Sequence, residues 1–188
     1  MPGILEGKRV AILATNGVEQ VELTEPRDAV TREGARTAIV SLAEGEFQAM
    51  NRDLEPADRF TADTTAKQAS ADDYDALIMP GGTVNADRLR MDPDVQRFVH
   101  DIFSAGKPIG VICHGPWTLI DAEVAKGCTL TSYPSLRTDL RNAGATVVDE
   151  EVVTDNGLVS SRNPNDLPAF CAKIVEEFAE GEHKPRIT

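Results

Sequence analysis

Short runs of apolar residues alternate along this chain with segments of helical periodicity. The predicted strands cover residues 9–14 (RVAILA), 37–42, 75–79 (DALIM) and 108–112. Helices are predicted between them, for example over residues 18–33, where Pro26 should introduce a kink, and after Pro93. Strands separated by helices are typical of a parallel sheet with helices on both faces, so the sequence predicts an α/β fold.

The chain length predicts one domain over residues 1–188, ending in a frayed tail over about residues 181–188. Residues 44–74 are acidic and irregular, and we expect short antiparallel strands there. Asn156-Gly157 lies between two apolar runs, which is a strong signal for a β-hairpin.

Composition excludes several classes of function. The chain has 31 Asp and Glu against 19 Lys and Arg, a net charge of -12, which argues against nucleic acid as a partner. No apolar run is long enough to span a bilayer, and a signal peptide is not indicated. Three cysteines without paired spacing predict a reduced, cytoplasmic protein. The sequence lacks C-x-x-C, H-E-x-x-H and G-x-G-x-x-G motifs, so we expect no metal and no cofactor.

Three segments with unusual residues follow predicted strands, at 16–19 (NGVE), 80–82 (PGG) and 113–115 (CHG). Ligands of open α/β sheets bind at this carboxyl edge. Cys113 lies where a strand turns into a helix, and the helix N-terminus should lower the pKa of its thiol. Gly115 permits the tight turn of a nucleophile elbow. The sequence therefore predicts a reactive cysteine.

The neighbours of Cys113 suggest supporting roles. The backbone amides of Gly82 and His114 could form an oxyanion hole. Glu19 could accept a hydrogen bond from the thiol or, if protonated, donate one to the thiolate. His114 could act as a base, but a residue adjacent to the nucleophile usually points away from it, so a contact with another subunit is the alternative.

Five segments together carry a family resemblance: AILATNGVEQVELTEP, DALIMPGG, GKPIGVICHGPWTLI, LTSYPSLRTDLRNAGA and LVSSRNPNDLPAF. They resemble the PfpI family, the bacterial general stress proteins and so-called intracellular proteases related to the Parkinson's-associated deglycase. The resemblance covers almost the whole chain. It implies a flavodoxin-like three-layer α/β/α sandwich, mostly parallel, of the class I glutamine amidotransferase-like superfamily.

The resemblance also implies roles for individual residues. Cys113 is the implied nucleophile, with His114 beside it and Glu19 as the carboxyl on the sulfur. Asp87 matches the carboxylate that completes a Cys-His-acid triad from a neighbouring subunit, so we expect a homodimer or homohexamer. Tyr133 matches a tyrosine near the substrate pocket.

Glutaminase activity is not expected, because the amidotransferase H-x-E pattern is absent after His114. Three functions remain. The first is a cysteine-dependent enzyme acting on reactive carbonyls, such as methylglyoxal or glycated protein side chains. The second is an oxidant-responsive stress protein with little turnover. The third is a cysteine peptidase.

Overall fold

The structure, a computed structural model, describes residues 2–185. The strands are β1 (Arg9–Leu13), β2 (Arg36–Ser41), β3 (Glu46–Asn51), β4 (Glu55–Thr61), β5 (Thr64–Thr65), β6 (Ala76–Met79), β7 (Ile109–Ile112), β8 (Thr129–Leu130), β9 (Thr146–Val147), β10 (Val153–Asp155) and β11 (Leu158–Ser161). The α-helices are α1 (Gln20–Arg32), α2 (Thr83–Met91), α3 (Pro93–Ser104), α4 (Pro116–Asp121), α5 (Arg137–Asn142) and α6 (Leu167–Glu180).

A seven-stranded sheet with the order β10-β11-β7-β6-β1-β2-β5 forms the centre of the fold. Every neighbouring pair in it is parallel except β10 and β11, which are antiparallel. Helices cover both faces of this sheet. The predicted α/β class and the flavodoxin-like three-layer sandwich are therefore confirmed.

The hydrophobic core consists of two clusters, one on each face of the sheet. Strand β1 supplies both, because its side chains alternate in direction. Val10 and Ile12 belong to the cluster that contains residues of α1 and α6, whereas Ala11 and Leu13 belong to the cluster that contains residues of α3 and α4. A strand buried on both faces reads as a continuous apolar run, which is why RVAILA could be recognised in the sequence.

Both predicted antiparallel segments form. Strands β3 and β4 pair as a separate two-stranded hairpin. Strands β10 and β11 pair across Asn156-Gly157, and both turn residues have positive φ, 48° and 84°. Helix α1 runs as one helix through Pro26.

The described part of the expected frayed tail, residues 181–185, contacts the body of the protein. The backbone N–H of His183 donates to the carbonyl oxygen of Gly106 at 2.8 Å. Its side chain, 17% exposed, lies 3.3 Å from the carboxylate of Glu177. These contacts correct the expectation of a frayed tail for residues 181–185; residues 186–188 lie outside the described residues.

None of the helices within residues 2–185 has both the length and the apolar character needed to cross a membrane.

Candidate active site

The three segments predicted to converge at the carboxyl edge of the sheet do meet there. The N–H of Glu19 donates to the carbonyl oxygen of Gly81 at 3.3 Å. A Cβ on Gly81 would lie 2.7 Å from the Cβ of Cys113, so the second and third segments are in close contact. Gly82, at φ 92°, packs against the backbone of Gly17. Backbones this close require glycine at these positions.

Cys113 occupies a sharp, strained turn between β7 and α4. Its φ is 63°, in the left-handed region that a non-glycine residue rarely adopts. Two hydrogen bonds hold this conformation: its N–H donates to Ser161 at 3.1 Å, and its carbonyl oxygen accepts from Tyr133 at 2.9 Å. A Cβ on Gly115 would lie 2.8 Å from the carbonyl oxygen of Met79, so glycine is required there. The predicted elbow geometry is present.

The carboxyl beside the sulfur is that of Glu22, which corrects the assignment of Glu19 to this position. Glu22 is fully buried, and its Oε2 accepts a hydrogen bond from the Gly81 N–H at 2.8 Å. Burial, opposed in part by that hydrogen bond, raises its pKa to about 8. Its Oε1 is buried without a well-formed hydrogen bond to any described residue. Glu22 is therefore protonated at neutral pH and adjacent to the thiol of Cys113.

Glu19, one helical turn before Glu22, binds the β3–β4 loop and not the sulfur. Its two carboxylate oxygens accept the backbone N–H groups of Arg52 at 2.8 Å and Asp53 at 3.1 Å, in the loop between β3 and β4. The phase of helix α1 explains the difference, because Glu22 lies on the buried face with Leu23. A carboxyl on the apolar stripe of a helix was the sequence signal for Glu22.

The thiol of Cys113 is not a resting thiolate, contrary to the predicted lowering of its pKa. Burial raises the pKa of the thiol well above its usual range, and the neighbouring Glu22 adds to that rise. The backbone N–H groups of Gly82 and His114 both hydrogen-bond the sulfur and oppose it. These are the two amides predicted to form the oxyanion hole. A protonated thiol needs a base before it can attack a substrate.

His114 lies within reach to be that base. Its Nδ1 is 3.1 Å from the Sγ of Cys113, although the two residues are adjacent in the chain. Burial lowers the pKa of the imidazole, and the charge of Asp53 opposes this. A neutral imidazole is thus available to accept the thiol proton. Tyr133 stacks on the ring at 4.5 Å, with 27° between the planes.

The other nitrogen of His114 faces residues that sequence reasoning missed. Its Nε2 lies 3.3 Å from the hydroxyl of Thr83, and that hydroxyl donates to Asp53 at 2.9 Å. Asp87, the predicted triad acid, is exposed on α2. Its predicted contact with a neighbouring subunit stays a prediction, as does the homo-oligomer.

A cavity of about 590 Å³ opens beside this cluster. Its lining residues come from the start of α1, the β3–β4 loop, Tyr133 and the segment after β11: Glu19, Val21, Asn51, Arg52, Glu55, Tyr133, Asn163, Pro164 and Asn165. Tyr133 is 39% exposed and connects the cavity to the His114 ring on which it stacks. The role of Tyr133 near a substrate pocket stays a prediction.

Among the described residues, one group could supply three metal ligands, at the opposite end of the strands. Glu177, Glu180 and His183 place ligand atoms within 4.8 Å of one another. Glu177 and His183 already contact each other there. This group is remote from Cys113, and the expectation of no metal stays a prediction.

A parallel α/β sheet with a cysteine at a strand-to-helix elbow, flanked by a histidine and a buried glutamate, defines a class of cysteine-centred proteins. The model of the DJ-1/PfpI family matches residues 8–177, and the chain belongs to this family.

Relatives of known sequence and structure agree with this assignment. An uncharacterised Staphylococcus aureus (strain Mu50) protein is 39% identical over 174 residues, covering 91% of this chain and 98% of the relative. The crystal structure of Drosophila melanogaster DJ-1beta matches with a TM-score of 0.82 and 30% identity, covering 92% of this chain and 90% of that one. A two-domain Anabaena variabilis protein with DJ-1/ThiJ/PfpI-like and ferritin-like domains matches with a TM-score of 0.82 and 32% identity; the match covers 90% of this chain and 47% of that one.

Proposed function

We propose that this protein is a cysteine-dependent enzyme that acts on small reactive carbonyls such as methylglyoxal. The observation that carries the proposal is the pair of groups at the Cys113 sulfur. On one side His114 is a neutral base, 3.1 Å away. On the other side Glu22 is a buried carboxyl whose raised pKa, about 8, keeps it protonated at neutral pH. A base and an acid on either side of one thiol suit a reaction that needs several proton transfers.

The first step adds the thiol to the aldehyde carbon. The proton of Cys113 moves to Nδ1 of His114 as the carbon–sulfur bond forms and the carbonyl π bond opens. The developing oxyanion is stabilised by the amides of Gly82 and His114, which already point at the sulfur. It then takes the proton back from Nδ1, which gives a hemithioacetal.

The second step is an internal isomerisation that needs no cofactor. His114 removes the C–H proton of the former aldehyde carbon while Glu22 supplies a proton to the neighbouring ketone oxygen. His114 then gives its proton to the former ketone carbon, and the hydroxyl on the sulfur-bearing carbon returns a proton to the carboxylate of Glu22, which gives a thioester. One carbon is oxidised and the other is reduced, so electrons balance. Water then hydrolyses the thioester, releasing lactate and the free thiol.

The test is lactate formation from methylglyoxal by purified protein. We expect Cys113→Ala to lower turnover more than about 100-fold, because nucleophile and base both act through the sulfur. Cys171→Ser is the matched control, since Cys171 is a half-buried cysteine on α6 that should leave turnover unchanged. Equal lactate formation by wild type and Cys113→Ala would exclude the proposal. Parallel assays with a glycated protein decide whether modified side chains are also substrates.

A second candidate, an oxidant-responsive role, is favoured by the protonated Glu22. A sulfinate on Cys113, formed by two equivalents of peroxide with release of two waters, could accept a hydrogen bond from this carboxyl. Peptide mass spectrometry after mild peroxide tests it. Oxidation confined to Cys113 supports this role, whereas equal oxidation of Cys128 and Cys171 argues against it.

The peptidase alternative has weaker support, because its predicted acid, Asp87, is exposed within this chain. Hydrolysis of a fluorogenic peptide that is lost in both His114→Ala and Asp87→Ala would favour it.

A further inference from the structure

A continuous hydrogen-bond path connects the nucleophile to an acid of the same chain. It runs from the Cys113 sulfur to Nδ1 of His114 at 3.1 Å and from Nε2 to the Thr83 hydroxyl at 3.3 Å. The hydroxyl continues it to Oδ2 of Asp53 at 2.9 Å. The other oxygen of Asp53, Oδ1, accepts the Thr83 backbone N–H at 2.8 Å. The backbone N–H and the side-chain hydroxyl of Thr83 are thus both fixed by the carboxylate of Asp53.

This path determines which nitrogen of His114 carries the proton. A threonine hydroxyl has one hydrogen to donate, and a carboxylate can only accept. The hydroxyl of Thr83 therefore donates to Asp53 and accepts from the Nε2–H of His114. Nδ1 then has a free lone pair, directed at the Cys113 thiol. This is the tautomer that a general base needs at this position.

The loop that presents Asp53 is itself held by Glu19. Arg52 and Asp53 both have positive φ, 54° and 62°, which is unfavourable for non-glycine residues. Their consecutive N–H groups converge on the carboxylate of Glu19, at 2.8 and 3.1 Å. Successive amides converging on one anion form a nest, and the hydrogen bonds offset the backbone strain. Glu19 thereby fixes the position of Asp53.

We propose that Asp53, acting through Thr83, is the acid that orients His114 as the general base for Cys113. Asp53 and Thr83 are positioning residues, and Glu19 is the support of Asp53. We call the path Asp53–Thr83–His114 the relay. It rests on the proposed function, because it acts on the same cysteine. The thiol proton stops at Nδ1, and the Asp53 carboxylate stabilises the imidazolium through the hydroxyl. The acid is therefore supplied by the same chain as Cys113, and Asp53 takes the role that the sequence predicted for Asp87 of a neighbouring subunit.

The simpler interpretation is that Asp53 only caps helix α2, whose N-cap residue, Gly82, has no side chain to do so. Thr83→Val separates the two interpretations. It keeps the backbone N–H that binds Oδ1 of Asp53, so the cap remains, but it removes the hydroxyl that connects to His114. Thr83→Ser restores a hydroxyl at the same place.

The experiment measures alkylation of Cys113 by iodoacetamide as a function of pH, read on the peptide that contains Cys113. We expect Thr83→Val to slow the reaction about tenfold at pH 7 and to shift its pH profile upward, since His114 is no longer held as a base. Thr83→Ser should restore a rate close to wild type. Asp53→Asn should also slow the reaction, and Asp87→Asn should leave it unchanged. Thermal unfolding of each variant shows that the fold is intact.

Three results would overturn the relay. The first is a wild-type alkylation rate in Thr83→Val, and the second is slow alkylation in Asp53→Asn while Thr83→Val reacts normally. The third is slowing by Asp87→Asn as large as that by Asp53→Asn. Nitrogen chemical shifts of His114 give a second readout, in which wild type shows a protonated Nε2 and Thr83→Val a mixture of tautomers. Because alkylation needs no carbonyl substrate, the relay can fail while methylglyoxal turnover succeeds, and the reverse.

Discussion

Two carboxyls serve Cys113 from different surroundings: Glu22 lies beside the sulfur, and Asp53 is connected to it through Thr83 and His114. Glu22 is fully buried, has an Oε1 without a well-formed partner, and has a pKa raised to about 8 by burial. Asp53 is half-buried, and both of its oxygens accept hydrogen bonds from Thr83. Burial with a single backbone donor, the Gly81 N–H, leaves Glu22 protonated at neutral pH. The same functional group thus serves as a proton donor in Glu22 and, in the proposed relay, as an orienting group in Asp53.

The largest expected effect tests the protonation of Glu22 through stability. A carboxyl with an unfolded pKa near 4.5 and a folded pKa of about 8 gives its full stabilisation below pH 4.5 and loses it as pH rises through about 8. The loss is roughly 5 kcal/mol across that window, at about 1.4 kcal/mol per pH unit. Glu22→Gln, which mimics the protonated acid, should remove this slope. Denaturant unfolding of both proteins from pH 5 to pH 8 measures it; parallel curves would show that Glu22 is ionised.

Gly81→Ala should disturb the Glu22 side most directly, with a weaker contact at the backbone nitrogen of His114, 3.0 Å from the added Cβ. The added Cβ would lie 2.5 Å from Oε2 of Glu22 and 2.7 Å from the Cβ of Cys113. We expect a loss of about 1–3 kcal/mol from overpacking, together with altered alkylation of Cys113. Gly127→Ala is the comparison for backbone strain without overpacking, since a Cβ there meets nothing within 4 Å but its φ is 78°. Wild-type reactivity in Gly81→Ala would mean that the position of the Glu22 carboxyl has little influence on the thiol.

The smallest expected effect concerns Glu19, which supports Asp53. Glu19→Gln leaves one oxygen to accept two amides, so we expect a loss of about 1 kcal/mol and alkylation slowed about threefold. If Glu19 acts through Asp53, the Glu19→Gln substitution should not slow alkylation further in a protein that already carries Thr83→Val. Additive effects in this double-mutant cycle would contradict the proposed order of contacts.

The parts of this molecule that sequence could predict are those set by local patterns. Apolar runs and helical periods identified the sheet and its helices, and the strand–Cys–His–Gly–Pro–helix segment identified the elbow at Cys113. The choice between Glu19 and Glu22 depended on the phase of helix α1, because only a carboxyl on its buried face lies beside the sulfur. Asp53 could not be predicted, because it reaches Thr83 only when a hairpin outside the main sheet packs against the start of α2.

The β3–β4 loop has a consequence for how such a protein can diversify. Arg52 lines the cavity, and Asp53, one peptide bond away, orients His114 through Thr83. A change in the length of this loop alters the shape of the ligand cavity and the basicity available at the thiol together. We therefore expect substrate range and thiol reactivity to change together, so that a relative with a remodelled β3–β4 loop should differ in both.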